Sequence, residues 1–298
     1  MVQELSSSTE PLVWFITGCS SGFGEEIALE ALKRGDQVIA SARQPLSRLD
    51  NLAEAGAHIM ECDVTIPSQD MKTIAEGAEK IYGRIDVLVN NAGYGHFGSL
   101  EELGPEGLLT QFQTNLFGTA NATSAFLPLM RRRRSGTVVI TGSRSGMRLV
   151  PMLGAYGISK AATNAYGETL AKEVAQFNIR VLTTVPGGFH TSGYAGNPVP
   201  PPMPGPGYED YAPTIERFRG MVKSLPGSQL GDPVKYATLL CDVATGDGKP
   251  SVRPWPERLV IGSDAAVDVR EMFARWEASM QEYEDLGKST DSRAYPSL

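Results

Sequence analysis

Residues 12–35 read LVWFITGCSSGFGEEIALEALKRG, and this stretch decides the fold. It opens on a short apolar run, Leu12 to Thr17, that reads as a buried strand. The run passes directly into GCSSGFG. An amphipathic segment follows, with Ile27, Ala28, Leu29, Ala31 and Leu32 as its apolar members, and Gly35 ends it. Strand, glycine-rich turn and helix, in that order, form the context of a dinucleotide fingerprint. Gly18 permits the tight turn, and Gly22 and Gly24 permit close backbone approach to a pyrophosphate and close helix packing. The helix N-terminus then faces the phosphate charge. An ordinary Gly/Ser loop is the alternative, and the flanking strand and helix count against it.

Outward from this unit, strands and helices alternate. Gln37 to Ser41 is a second strand, with Arg43 just beyond it where an NAD enzyme would carry a carboxylate for the ribose 2′-hydroxyl. Arg43 instead suits a 2′-phosphate, which favours NADP(H). Ala57 to Glu61 is a third strand, ending at Cys62, Asp63 and Val64; a helix over Ser68 to Tyr82 stops at Gly83. Asp86 to Asn90 is a fourth strand and runs into Asn91, Ala92 and Gly93. Pro105 to Met130 reads as one long helix with Asn115 and Gly118 at an awkward centre, either a functional kink or a plain surface Asn. Gly136 to Thr141 is a fifth strand, a helix carries Tyr156 and Lys160 to about Ala175, and Arg180 to Val185 is a sixth strand leading to Pro186, Phe189 and Thr191. The pattern is α/β: a doubly wound parallel sheet of Rossmann type in three α/β/α layers, one domain over residues 1–298. Ligands on such sheets bind at the carboxyl ends of the strands.

The segment from Asn197 to Pro213 is rich in Pro and Gly and reads as irregular. Within a substrate loop of about 188–230, Phe189, Tyr194, Met203, Tyr208 and Tyr211 supply aromatic and apolar surface for a lid over the cofactor end. Asp232 caps a helix with Pro233 in its first turn. Arg258 to Ile261 is a last strand, Ala265 to about Tyr283 a last helix, and the tail of about 287–298 is polar.

The formal net charge of −7 argues against non-specific nucleic-acid binding and against an anionic membrane surface. The run Arg131 to Arg134 reads as a solvated helix C-terminus rather than a nucleic-acid patch. Cys19, Cys62 and Cys241 form no metal-spaced cluster, and their number is odd, so no metal and a reduced, cytoplasmic compartment are expected. No stretch reads as a signal core or a membrane span.

Tyr156 and Lys160 stand at (i, i+4), which places both side chains on one face of a helix. A free tyrosine titrates near about 10, and a cation one turn away favours the phenolate. Such a pair can pass a proton to or from a carbonyl or alcohol oxygen. YxxxK alone is a weak pattern, and a helix surface where the two merely adjoin is the bland reading.

Taken together, TGCSSGFG from Thr17, CDVT from Cys62, NNAG from Asn90, TNLFG around Asn115, GSRSG from Gly142, YGISK from Tyr156 and PGGFHT from Pro186 resemble the short-chain dehydrogenase/reductase family in its single-domain form. NNAGYGHFG is nearest to the hydroxysteroid and retinol dehydrogenase branch. The resemblance implies Ser143 as the group binding the substrate oxygen, Tyr156 as acid/base, Lys160 as its helper and holder of the nicotinamide ribose, and Asn115 as support for a water reaching Lys160. It implies Gly18, Ser20, Ser21, Phe23 and Gly24 around the pyrophosphate and ribose, Asp63 and Val64 flanking adenine, Asn90, Ala92 and Gly93 on the ribose side, and Pro186, Phe189 and Thr191 at the nicotinamide end. It implies a small-molecule carbonyl or alcohol substrate and a homodimer or homotetramer through helices that include Ala120 to Met130 and Ala161 to Ala175. Two departures are Gly142, where a serine is common, and Arg144, a bulky cation beside Ser143. A redox-neutral tailoring enzyme and a non-catalytic NADP-binding regulator share the same motifs.

Overall fold

The computed structural model describes residues 10–191, 203–225, 227–248 and 252–292. The described strands are β1 (Val13–Thr17), β2 (Gln37–Ala42), β3 (His58–Glu61), β4 (Val87–Asn90), β5 (Gly136–Thr141), β6 (Ile179–Pro186) and β7 (Arg258–Ile261). They form one sheet in the order β3-β2-β1-β4-β5-β6-β7. Every pairing is parallel, from Val13 against Gln37 in β1 and β2 to Pro186 against Ile261 in β6 and β7. The order reverses direction between β1 and β4, and the cleft opens outside the carboxyl ends at that switch point.

All five residues of β1 are buried, because helices cover both faces of the sheet. Its side chains alternate between two cores. Trp14 and Ile16 pack with Ile27, Ala28, Tyr236 and Leu240, beneath α1 (Gly22–Lys33) and the helix Pro233–Thr245. Val13 and Phe15 face the other way, onto Met71 of α3 (Ser68–Tyr82), after a short α2 (Asp50–Glu54), and onto Phe126 and Leu170. Trp14 satisfies its ring N–H on Asp36 Oδ2 at 2.8 Å, so the aromatic can be buried without an orphaned donor.

The long helix expected from Pro105 to Met130 is broken twice. A first turn from Leu100 is capped by Ser99 and kinks at Gly104, whose φ is 56°; α4 (Leu100–Phe112) resumes at Pro105. A wide π-turn then spans Gln113–Gly118 before α5 (Thr119–Arg133). Gly118 belongs there because a Cβ would sit 2.5 Å from Val64 Cγ2. The turn aims Asn115 inward, so this residue is a buried bridging group rather than a surface Asn. The four arginines close α5 as expected: Arg132 pairs with Glu79, Arg133 with Asp86, and Arg131 and Arg134 lie over Phe177.

After α6 (Gly154–Val174) and β6, the insert departs from the expectation of irregular chain. Tyr194 and Pro198 to Pro202 lie outside the described residues. Beyond them a turn at Glu209–Tyr211 leads into α7 (Ala212–Ser224). Pro213 sits in its first turn, where a missing N–H costs nothing. Ile215, Phe218 and Val222 bury one face of α7 on Met152, beside Phe97, Val150, Leu153 and Tyr211. α8 (Pro233–Thr245) is capped by Asp232, as its sequence predicts. α9 (Ser263–Lys288) is longer than expected at both ends, reaching into the segment read as a polar tail. Among the described residues no helix is long and apolar enough to cross a membrane. Phe126, Leu129, Leu170 and Val174, on the stretches expected to form an oligomer contact, face the core.

Candidate active site

A cleft of about 1100 Å³ runs along the carboxyl ends of the strands. At one end Gly18 holds φ at 72°, and a Cβ there would come within 2.9 Å of Ala92 Cα. Gly24 is fixed by contact rather than by φ: a Cβ would meet Gly18 O at 2.5 Å. Ser21 takes an extended conformation before α1 and its side chain caps none of the helix N–H groups. Those amides and the helix dipole are left for an anion. The cradle therefore fits a pyrophosphate. Thr17 and Asn91 lock it: Thr17 Oγ1 accepts from the N–H groups of Asn91 and Ala92, and Asn91 Nδ2 donates to the carbonyls of Thr17 and Gly18.

Ser20, Ser21, Phe23, Asp63, Val64, Ala92 and Gly93 line this cleft with Gly18. Asp63 Oδ1 is held by the N–H and hydroxyl of Thr65. Arg43 also lines the cleft, in the place expected for a 2′-phosphate partner, and forms no ion pair among the described residues. Arg48 and Gln44 join it there, and no sequence motif marked them. Asn90 does not line the cleft; its side chain donates to Thr123 Oγ1 at 3.0 Å inside the core.

Ser143, Tyr156 and Lys160 line the same cleft, as do Pro186, Phe189 and Thr191. Ser143 stands at the end of β5 in extended backbone, and its Oγ accepts from Ser145 N at 3.0 Å. That bond uses a lone pair and leaves the hydroxyl proton to donate elsewhere. Lys160 Nζ lies 5.9 Å from the Tyr156 ring centroid and donates to Thr141 O at 2.6 Å. Burial lowers the Lys160 pKa from 10.5 to about 8. Asn115 is one layer behind. Its Nδ2 donates to Tyr94 O and Ser159 Oγ, and its Oδ1 accepts from Tyr94 N. A Cβ on Gly93 would lie 3.1 Å from Asn115 Oδ1 and 3.5 Å from Lys160 Nζ, so the bare glycine lets both side chains converge. Phe189 packs edge-on to Phe23 and Tyr236 and forms a wall between α1 and α8.

The far wall mixes apolar side chains with the polar His96, Glu102 and Gln229. Phe97, Val150, Leu153, Met221 and Leu225 line it, the last two brought by α7 and its exit. The insert is tied down by Tyr211, which donates to Glu101, and by Gly205 N, which donates to Glu102. Arg144 and Arg148, also on the cleft, are engaged by carboxylates.

A glycine-rich phosphate cradle joined to a Ser, Tyr and Lys constellation on a doubly wound sheet defines a nicotinamide-dependent oxidoreductase site. Residues 12–197 match the family model described as short chain dehydrogenase. The chain belongs to that family, whose members bind a nicotinamide cofactor and act on CH–OH or C=O groups. It is 35% identical over 257 residues to "Oxidoreductase BOA17" of Botryotinia fuckeliana, covering 85% of this chain and 89% of that one. It is 36% identical over 183 residues to retinol dehydrogenase 8 of Homo sapiens, covering 59% of this chain and 58% of that protein, in keeping with the branch resemblance read from NNAGYGHFG. The crystal structure of a short-chain dehydrogenase from Streptomyces avermitilis superposes with a TM-score of 0.82 at 35% identity, covering 95% of this chain and all of that one.

Proposed function

We propose that the protein is an NADP(H)-dependent oxidoreductase that interconverts a carbonyl and a secondary alcohol on a neutral, apolar small molecule. The observation that carries this reading is that Ser143, Tyr156 and Lys160 line one cleft, with Lys160 Nζ 5.9 Å from the Tyr156 ring centroid. The dinucleotide would supply or accept the hydride. Gly18, Ser20, Ser21 and Gly24 would hold its pyrophosphate, Asp63 and Val64 its adenine side, and Pro186, Phe189 and Thr191 its nicotinamide end. Ser143, whose Oγ accepts from Ser145 N and keeps its proton free to donate, would bond the substrate oxygen, where charge develops. Tyr156 delivers or takes the proton at that oxygen. Lys160, whose burial lowers its pKa to about 8, would share in that proton's passage, and Asn115 fixes the backbone around Tyr94.

The NADP(H) reading is supported by Arg43 and Arg48 at the end of β2 and its following turn, where two guanidinium groups suit a 2′-phosphate. The substrate reading is supported by the apolar residues along the wall and by the pairing of Arg144 and Arg148 with carboxylates, which engages the two arginines beside Ser143. Retinol, in one relative's name, is likewise a neutral and apolar alcohol, though a primary one. α7, which brings Met221 to the cleft and is followed by Leu225 there, would cover the substrate end. Assembly into a homodimer or homotetramer and a cytoplasmic location complete the proposal. Loss of NADPH absorbance with stoichiometric alcohol formation, measured over a panel of lipophilic ketones and aldehydes, tests it. NADPH binding without turnover on any member would return the protein to a regulatory role.

A further inference from the structure

Arg144 is left over by the reading above: a long cation directly after Ser143, with no role in a neutral substrate site. The structure shows where it goes. Its Nη1 lies 2.9 Å from Asp268 Oδ2 and 3.0 Å from Asp264 Oδ2. The other oxygen of Asp268 takes Arg148 Nη1 at 3.2 Å. Asp264 and Asp268 are four residues apart on α9, so they share one face of its first turns. Asp268 is 5% exposed, and its neighbours Ala265 and Met272 are buried with it.

The two arginines bracket one structural unit. Ser143 opens the turn Arg144–Gly146, and the carbonyl of Arg144 accepts from the N–H groups of Met147 and Arg148, both at 2.8 Å. One carboxylate thus holds the side chains at the start and at the end of the turn that carries the Ser143 hydroxyl. Asp264 extends the tie to the nicotinamide side: its Oδ2 also accepts from Gly188 N at 2.8 Å, and its Oδ1 accepts from Ala265 N at 2.9 Å. Gly187 must be bare, because a Cβ there would overlap the Asp264 carboxylate. Two carboxylates and two guanidinium groups balance in charge; Asp268 is the buried member, Arg144 and Asp264 are partly buried, and Arg148 reaches in from an exposed position.

We propose that Asp268 is a positioning residue: through Arg144 and Arg148 it sets the Ser143 turn against the Gly187–Gly188 loop, with Asp264 as the second anchor. The C-terminal helix thereby reaches the Ser143 turn through the two arginines, and Asp268 itself stands on the cleft wall. The claim rests on the oxidoreductase reading only for its effect on rate. Asp268 itself need not meet substrate, and removing it leaves Arg144 with Asp264 alone and Arg148 with no carboxylate described near it. A displacement of the serine hydroxyl by about 1 Å costs on the order of a hundredfold in rate.

The test uses the full chain with Asp268→Asn, which keeps the shape, and Asp268→Ala, each alone and combined with Arg144→Ala. Hydrogen exchange of the peptide spanning 141–149 is read with NADPH absent, and kcat, KM and NADPH Kd are read on the best carbonyl of the panel. The expected result is at least tenfold faster exchange in that peptide, with peptides of β4 and α3 unchanged. Alongside it, kcat falls tenfold to a hundredfold, while NADPH Kd per folded protein stays within twofold. The Asp268→Ala and Arg144→Ala losses should overlap rather than multiply. Unchanged exchange in the turn, kcat within twofold of wild type, or fully multiplying losses would each overturn the assignment. If the wild type turns over no carbonyl, the functional reading fails, and the exchange result alone decides whether Asp268 holds the turn.

Discussion

Replacing Lys160 by methionine separates the energetic cost of this site from its use. The lysine is 5% exposed, and burial lowers its pKa from 10.5 to about 8. Between those two values the unfolded chain still holds the proton and the folded chain has released it. The unfolded state therefore binds more protons, and the stability attributable to Lys160 rises with pH from about 8 to 10.5. Below pH 8 the full penalty of burying the ammonium is present; above 10.5 it is gone. That interval corresponds to about 3 kcal/mol, at roughly 1.4 kcal/mol per pH unit. Methionine fills much of the same space but gives up the bond to Thr141 O, worth about 1 kcal/mol. Urea unfolding of the ligand-free proteins should find Lys160→Met more stable than wild type by about 2 kcal/mol at pH 7. The order should reverse by pH 10.5, even though turnover is lost throughout. A stability difference that does not change between pH 7 and pH 10.5 would refute the argument that the wild-type ammonium is held against its solvation.

Other outcomes follow from the same geometry. Arg43→Ala should narrow the preference for NADPH over NADH by roughly ten- to a hundredfold, the worth of one charge-assisted contact, read by fluorescence titration; equal affinities in the wild type would show that the end of β2 is misread. Phe218→Ala on α7 removes a buried aromatic from the small core under the insert, a change typically worth about 3–5 kcal/mol, and should raise KM for the carbonyl while leaving NADPH Kd nearly intact; an unmoved KM would take α7 out of the substrate site. Light scattering at micromolar concentration should report a homodimer or homotetramer, and a monomer would reject the assembly.

The strands and the cofactor end were legible in the sequence for a simple reason. β1 is buried on both faces, so its apolar run is unbroken, and it passes straight into a turn in which Gly18 and Gly22 both take positive φ, a local demand that glycine spacing records. Tyr156 and Lys160 were legible because one helix turn fixes their separation. The departure at Gly142 has its cause elsewhere in the chain, since a Cβ there would overlap Asn164 Oδ1 and crowd Thr184 O. What was missed depends on contacts between distant segments. The π-turn at Asn115 answers to Val64, Tyr94, Ser159 and Thr163, none of them near it in sequence. α7 was hidden because Pro213 looks like a breaker and is a helix starter. The ties of Arg144 and Arg148 to Asp268 cross more than a hundred residues and leave no periodic mark.

The central claim is that Tyr156 moves a proton at an oxygen held in this cleft while a nicotinamide exchanges hydride with the adjoining carbon. It is tested most directly by NADPH oxidation on the active member of the carbonyl panel, in wild type and in Tyr156→Phe, with NADPH binding to both proteins measured in the same samples. The account predicts that the phenylalanine variant binds NADPH as wild type does and oxidises it about 10²–10⁴-fold more slowly, the loss expected for a missing general acid. A folded Tyr156→Phe protein that oxidises NADPH at close to the wild-type rate would contradict it.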